Sequence, residues 1–495
     1  MGDLLLAIDQ GTSSTRAVAY DADLRPLAWA TRRLGVVHPR PGWVEQDPRE
    51  ILASVVATVA EVLAAVGGPA RIAAVGLDNQ GETVVAWDAR TGEPLAPAVV
   101  WQCKRSAPII ERLRAAGHDP WVRERTGLPL DPYFSAGKMA WLLEEVPEVA
   151  AAARAGRLRL GTVDAFLTAR LGGEARTDTS TASRTQLLEL RERRWDPELA
   201  GLFSVPPETL PAVGETAGNL GELRHAAWGG ALPLRAMVCD QQAALAGHGC
   251  FAPGTLKATY GTGVFVLANA GPVTPPAPEG LLATIAWTIG GRTDHAFDGG
   301  VFAAGTLLDW LRDGLGLYAD PADTEALAGA VDGTVGVRVL PALVGLGAPW
   351  WRPEARGVIA GLTPGANRAH VARAALDGIA HRVADVVEAM AAALPAPPAA
   401  LRVDGGLTAN RYLVQREADL LGIPLELATT EESTALGAAA LAALGAGLFT
   451  SPQEIVARVR PARSVAPRLP AEERERERAA WRAFVAAAAA IPPAP

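Results

Sequence analysis

Each half of this 495-residue chain opens on the same device, and that repetition limits the possible folds more than any other feature. Near the start, the apolar run 4–8 meets Asp9-Gln10-Gly11-Thr12-Ser13-Ser14-Thr15-Arg16, and a second extended run, 17–20, follows at once. Past the midpoint, Leu256-Lys257-Ala258-Thr259-Tyr260 meets Gly261-Thr262-Gly263, and 264–267 continues as a strand. Both read as strand, small-residue turn, strand. Glycine supplies the positive φ angles of such a turn, while Thr and Ser add hydroxyls beside unencumbered N–H groups. A tight hairpin with this chemistry can hold a phosphate between strands, without the strand-to-helix geometry of a Walker motif. One such hairpin alone is only a turn. One at the head of each half points to a duplicated architecture.

Between and after the hairpins, strands alternate with helices. Arg71-Ile72-Ala73-Ala74-Val75-Gly76-Leu77 reads as a buried strand following an amphipathic helix over 49–65, capped by Asp47 with Pro48 at the first helical position. Pro233-Leu234-Arg235-Ala236-Met237-Val238 is another strand, ending at Cys239-Asp240. In the second half Val337-Arg338-Val339-Leu340 and Leu401-Arg402-Val403 are strands, and 370–390 is a long helix. This alternation predicts an α/β protein with helices over mostly buried sheets. The length exceeds what one hydrophobic core organises, so two domains are expected, 1–248 and 249–495. The Pro- and Gly-rich stretches 271–280 and 393–399 read as surface loops, and the alternating charges of 472–478 as a solvated helix face.

Composition excludes several classes. Apolar residues at 49% and charged residues at 20% describe an ordinary globular protein. A net charge of -8 argues against a general nucleic-acid or anionic-membrane surface, so neither partner is expected. No apolar run approaches the ~20 residues that span a bilayer. The opening Asp3-Leu4-Leu5-Leu6-Ala7-Ile8-Asp9 reads as a strand rather than a secretory leader. Cys103, Cys239 and Cys250 form neither a disulfide framework nor zinc spacing, so a reducing cytoplasm is expected. Lys104, Lys138 and Lys257 are the only lysines in an arginine-dominated chain.

Phosphoryl transfer needs a cradle for phosphates, a carboxylate for the metal and a base beside the acceptor hydroxyl, and turn positions here offer each. Asp9 ends the first strand beside the Thr12/Ser13 turn, where a carboxylate can meet Mg2+ bridging phosphates, although a turn-capping role also suits it. Asp240 ends a buried strand and precedes Gln241-Gln242 and the small run 243–246. It suits a helix N-cap, or a group projecting into the crevice where open α/β sheets bind ligands, and the polar triplet favours the second. Val403-Asp404-Gly405-Gly406-Leu407-Thr408-Ala409-Asn410 carries a strand into a Gly-Gly turn against which a flat ring can lie, with a helix N-terminus facing phosphate. Thr434-Ala435-Leu436-Gly437-Ala438-Ala439 is a small-residue helix that packs closely on something.

Longer patterns carry a resemblance. Tyr133-Phe134-Ser135-Ala136-Gly137-Lys138-Met139-Ala140-Trp141-Leu142-Leu143-Glu144-Glu145, and the run from Gly357-Val358-Ile359-Ala360-Gly361-Leu362 through His370-Val371 to Ala374-Ala375-Leu376-Asp377, resemble the two signatures of the FGGY family of carbohydrate kinases. Pro41-Gly42-Trp43-Val44-Glu45-Gln46-Asp47-Pro48, Val100-Trp101-Gln102-Cys103 and Asp240-Gln241-Gln242-Ala243-Ala244-Leu245 are similar to its glycerol-phosphorylating branch. The resemblance implies two actin-like (ribonuclease H-like) ATPase domains around a central cleft. It also implies transfer of phosphate from ATP, with Mg2+, to a small polyol, glycerol first, in a homo-oligomer of two or four copies. Asp240 would then be the general base, and Asp9 and Asp240 the metal carboxylates. Thr12, Ser13, Ser14, Arg16, Gly261 and Thr262 would lie by the phosphates, and Gly305, Asp309, Gly406 and Asn410 by the rest of the nucleotide. Gly81, Glu82, Trp101, Tyr133, Asp240, Gln241 and Phe265 would form the polyol pocket, carboxylate and amide groups fixing hydroxyls while aromatic faces cover C–H edges.

Two positions depart from the pattern. Asn79-Gln80-Gly81-Glu82-Thr83 carries glycine where the glycerol-phosphorylating branch carries arginine, so a charge-assisted contact of roughly 1.5–3 kcal/mol is missing and room is expected for a larger guest. Either another residue replaces that arginine, or the substrate is a tetritol, pentitol or ketopentose. Asp309 stands where the family often has Gln, which weakens the case for that nucleotide contact. A catalytically silent actin-like regulatory protein is the remaining alternative, and the presence of both Asp9 and Asp240 speaks against it.

Overall fold

The computed structural model describes residues 2–430 and 432–491. The repeated hairpins head two sheets of the same topology. In the first, β1 (Leu4–Gln10), β2 (Ser14–Tyr20), β3 (Pro26–Arg33), β4 (Ile72–Asn79) and β5 (Gly230–Cys239) lie in the order 3-2-1-4-5, with the strand Glu222–His225 beyond β5. In the second, β6 (Leu256–Tyr260), β7 (Val264–Gly271), β8 (Arg292–Val301), β9 (Leu401–Asp404) and β10 (Leu425–Leu427) lie in the order 8-7-6-9-10. Leu282–Ile289 and Arg463–Val465 extend its two edges. The first three strands of each set are antiparallel, and the last two join in parallel. A βαβ-type crossover buries a parallel strand on both faces, which is why β1 is apolar from Leu4 to Ile8, ahead of Asp9 and Gln10 at its end. Leu4, Leu6 and Ile8 enter one core, and Leu5 and Ala7 the other.

Helices begin and end where local chemistry says they should. In α1 (Pro48–Val66) the Asp47 side chain accepts from the Arg49 N–H, Pro48 occupies the first turn, and Gly67 at φ 92° closes the end. The long helix over 370–390 extends to α4 (Arg368–Ala393), because Asn367 and His370 form a capping box ahead of it.

The small-residue helix packs at the base of the cleft. α2 (Asp240–Gly247) leaves β5 and α6 (Ser433–Gly445) follows β10, so each sheet contributes the helix after its last parallel strand. The two cross at their glycines: a methyl on Gly437 would fall within the van der Waals radius of the Ala243 carbonyl, and one on Gly247 within that of the Ser433 carbonyl. Gly76 of β4 meets the Ala438 carbonyl in the same way. The second half therefore roots itself under the first sheet.

The charged run 472–478 lies on α7 (Ala471–Ala489), with Glu472, Glu473, Glu475 and Arg476 exposed as a solvated face, and the expectation fails only at Arg478, where the helix docks. Arg478 is buried, with its Nη2 2.6 Å from Asp385, its Nε 2.8 Å from Glu388 and its Nη1 2.9 Å from the His381 carbonyl, while Trp481 stacks on His381. A buried arginine is tolerated because three acceptors on α4 satisfy it.

Candidate active site between the two sheets

Three parallel strands of the first sheet end at one edge, and each delivers a carboxylate there. Asp9 on β1 lies in register with Asp78 on β4, and Asp240 directly follows β5 beside it. Asp78 is fully buried and neither of its oxygens has an aligned partner. Burial raises both members of the Asp9/Asp78 pair, Asp9 to about 6 and Asp78 further because the Asp9 charge opposes its own. Such a pair suits a cation better than it suits a second carboxylate. Among the described residues no cluster of three or more His, Cys, Asp or Glu forms a closed metal cage.

Asp240 is the first residue of α2 rather than its cap, the cap position being Cys239. Its Oδ1 accepts from the Gln241 N–H at 2.7 Å and from the Cys239 thiol at 3.4 Å. Burial raises its carboxyl above the usual range, and these donors, with the Lys257 and Arg184 cations, hold it down. Lys257, from the second sheet, donates to Gln241 Oε1 at 2.7 Å and to Thr259 Oγ1 at 3.0 Å. The second half thus clamps the residue next to Asp240.

The aromatic residues converge. Trp101 meets Tyr133 edge to face at 5.5 Å between centroids and Phe265 at 6.5 Å. Tyr133 and Trp101 belong to the first half of the chain and Phe265 to the second, so the cage straddles the cleft. Trp101 also donates through its indole N–H to Thr12 Oγ1 at 2.9 Å, tying the cage to the tip of the first hairpin. Gln46 and Gln80 brace that tip: Gln46 Nε2 donates to the Thr12 carbonyl at 2.7 Å, and Gln80 Nε2 to Gln46 Oε1 at 2.9 Å. Phe265 lies two residues past Gly263, so both hairpins flank one opening.

The second hairpin is bound to the helix α3 (Gly305–Asp313). The Gly305 N–H donates to the Gly261 carbonyl at 3.2 Å and the Thr306 N–H to the Thr262 carbonyl at 3.1 Å. A Cβ on Gly305 would lie 2.7 Å from that Gly261 carbonyl, so only glycine permits the approach. Gly405, at φ 93°, is pressed against the backbone of Tyr260 and brings Gly406 to the same hairpin. Ser13 and Thr262 are exposed at their hairpin tips, and Ser14 opens β2. Arg16 reaches across to Glu432, ahead of α6.

Two expected nucleotide residues are otherwise engaged. Asn410 caps α5 (Arg411–Leu421), accepting from the Leu413 N–H at 3.0 Å and donating to Thr324 Oγ1 at 3.1 Å. Asp309 is exposed and pairs with Arg312 on its own helix at 3.2 Å. The room expected at Gly81 is absent: a Cβ there would lie 2.8 Å from the Cys239 sulfur, which fills that side. Arg184, Cys239, Asp78, Asp298 and Lys257 join these residues although no sequence motif marks them as site residues. Lysine scarcity was a usable signal for Lys257, since two of the three lysines, Lys138 and Lys257, are fully buried at this site.

Behind the second hairpin, Glu417 of α5 is fully buried and neither oxygen has an aligned partner. Burial pushes its carboxyl up to about 8, against the Tyr260 hydroxyl, which lowers it. The unfolded carboxyl loses its proton near 4.5, whereas the folded one keeps it until about 8. The folded state therefore binds more protons across that window, and stability falls as pH rises, by about 1.4 kcal/mol per pH unit at most. Glu417→Gln is expected to flatten this slope, read by chemical denaturation across the window; an unchanged slope would show that the carboxyl is not held neutral.

Comparison with known proteins agrees with this geometry. Residues 4–247 match the FGGY family of carbohydrate kinases, N-terminal domain, and residues 256–446 match its C-terminal domain. A curated glycerol kinase of Symbiobacterium thermophilum is 46% identical over 97% of this chain and 97% of its own length. One of Methylobacterium nodulans is 44% identical over 98% of each. Among solved structures, Plasmodium falciparum glycerol kinase with ADP superposes with a TM-score of 0.92 at 30% identity, covering 98% of both chains. The duplicated sheet, the paired hairpins and these matches agree: the chain belongs to the FGGY family of carbohydrate kinases.

Proposed function

We propose that this protein transfers the γ-phosphoryl group of ATP to a hydroxyl of a small polyol, with glycerol the preferred acceptor and glycerol 3-phosphate the product. The observation that carries this reading is the double role of Trp101: its ring walls the aromatic cage while its N–H holds the tip of a phosphate hairpin. A polyol in the cage then lies beside the phosphates. The names of the curated relatives support the same acceptor.

Asp240 accepts the proton of the attacked hydroxyl. The transition state of phosphoryl transfer is loose, so that proton moves late, and orientation of the alcohol matters more than basicity. Glu82, buried and joined to Arg184, accepts from a second hydroxyl. Thr12, Ser13, Gly261 and Thr262 offer N–H groups and hydroxyls to phosphate oxygens, and Arg16 exchanges Glu432 for phosphate. Gly305 and Gly406 leave backbone open to the nucleotide. Asp9 is the carboxylate that would hold Mg2+, which when bound neutralises charge between the phosphates. The three free, buried cysteines suit a reducing cytoplasm. Leu27 and Trp29, exposed on the edge strand β3, support a contact between copies in a dimer or tetramer.

A coupled ADP-release assay across glycerol, erythritol, threitol, xylitol, ribulose and xylulose tests the reading. Highest kcat/KM on glycerol is expected, because the Cys239 sulfur closes the side that a longer polyol would need. Preference for a five-carbon acceptor would move the assignment to another kinase of the family. Absence of turnover on every acceptor would favour a silent nucleotide-binding protein.

A further inference from the structure

Position 81 offers the polyol no side chain, yet a guanidinium lies beside it. Arg184 follows the short buried helix Thr179–Ala182, whose N-terminus is capped by Asp178. The stem of Arg184 passes 3.9 Å from where a Gly81 Cβ would be. Its Nε donates to Glu82 Oε1 at 2.7 Å. Its Nη1 lies 2.9 Å from Asp298 Oδ2 on β8, but not in line for a hydrogen bond, and that nitrogen is buried without an aligned acceptor. The guanidinium sits 5.8 Å from the centroid of Tyr133 and 5.6 Å from that of Phe134. Among the described residues, Nε is the only guanidinium nitrogen of Arg184 that donates an aligned hydrogen bond.

Arginine stays charged in proteins and carries five N–H donors. Two buried carboxylates, one from each half of the chain, balance its charge but leave most of its donors unspent. Buried donors without acceptors are costly, and a ligand rich in hydroxyls supplies what the protein withholds. From this we infer that Arg184 is the specificity-determining guanidinium of the polyol pocket, gripping acceptor hydroxyls in the role that Gly81 cannot fill, while Cys239 plugs the space beside it. The inference deepens the proposed function and rests on its polyol site. Because Glu82 and Asp298 come from opposite sides of the cleft, Arg184 is oriented fully only when both halves are in place. The pocket then discriminates by hydroxyl count: an acceptor lacking one hydroxyl leaves a desolvated N–H unpaired, a penalty that shape alone does not impose.

The test measures binding and turnover separately. Glycerol and 1,2-propanediol are titrated calorimetrically into the full chain with a non-hydrolysable ATP analogue present, and kcat and KM are measured with ATP. Arg184→Lys keeps the charge and loses the fork, and Arg184→Gln loses the charge. Each is expected to weaken glycerol binding about 100-fold, to leave nucleotide affinity within a few-fold, and to shrink the preference for glycerol over 1,2-propanediol to about 10-fold or less. Cys239→Gly is expected to raise kcat/KM for erythritol relative to glycerol by about 10-fold. Thermal unfolding confirms that each variant is folded, and whichever Arg184 variant folds carries the result. Unchanged glycerol affinity and preference in a folded Arg184 variant would overturn the inference while leaving the kinase reading intact. Wild type that binds glycerol without turning it over would overturn the kinase reading, and loss of that binding in the variants would still support Arg184. Wild type that neither binds nor phosphorylates any polyol would overturn both.

Discussion

Asp240→Asn is expected to lower kcat on the preferred polyol by about 10²–10⁴-fold, the range for loss of a general base, with nucleotide affinity nearly unchanged. The amide is isosteric, so the cage of Trp101, Tyr133 and Phe265 keeps its shape and Gln241 keeps its bond from Lys257. What is lost is the acceptor for the hydroxyl proton and the charge that orients the alcohol. Burial raises Asp240 above its ordinary range, so activity should also fall as pH drops through that raised value, since the protonated form cannot accept. A pH profile of kcat/KM with parallel nucleotide titration checks both statements. Turnover within about 10-fold of wild type would remove Asp240 from the base role and transfer the question to Glu82.

Gly437→Val is expected to have the largest structural effect of any single change considered. Its Cβ would enter the Ala243 carbonyl, which is backbone in α2 and cannot rotate aside as a side chain would. Overpacking typically costs 1–3 kcal/mol, and this site should reach about 3 kcal/mol or more because two helices and the sheet beneath must part together. The same displacement shifts Asp240, which precedes Ala243 by less than one turn on the helix that moves, so kcat should fall with stability. Gly201→Ala in the helix Pro197–Leu202 is the control, because a Cβ there has no neighbour within 4 Å. Denaturant unfolding and turnover of both variants test this. A Gly437→Val protein with the stability and activity of the control would show that the crossing tolerates separation.

The charged groups divide by how far away their partners lie. The hairpins, the Asp47 and Pro48 start of α1 and the Gly67 stop are made by residues adjacent in sequence, so turn and cap chemistry announces them. Arg184 looks like any arginine in a chain rich in them until Glu82, 102 residues away, and Asp298 close around it. Arg478 departs from its solvated helix face for the same reason: the alternation of Glu and Arg places it with its exposed neighbours, while the acceptors that bury it sit on α4. The apparent vacancy at Gly81 is likewise a long-range matter, because the sulfur that fills it arrives on β5.

The two strand–turn–strand hairpins, the alternation that makes an α/β chain, and the family with its long signatures are legible along the chain, because these depend on neighbours along the backbone. Which buried charges meet is set by the folded arrangement: Asp78 stands against Asp9, Lys257 clamps Gln241, and Arg184 lies between Glu82 and Asp298. The physical reason is that a buried charge is fixed by the groups that replace its water, and here those groups come from strands and helices far apart in the chain.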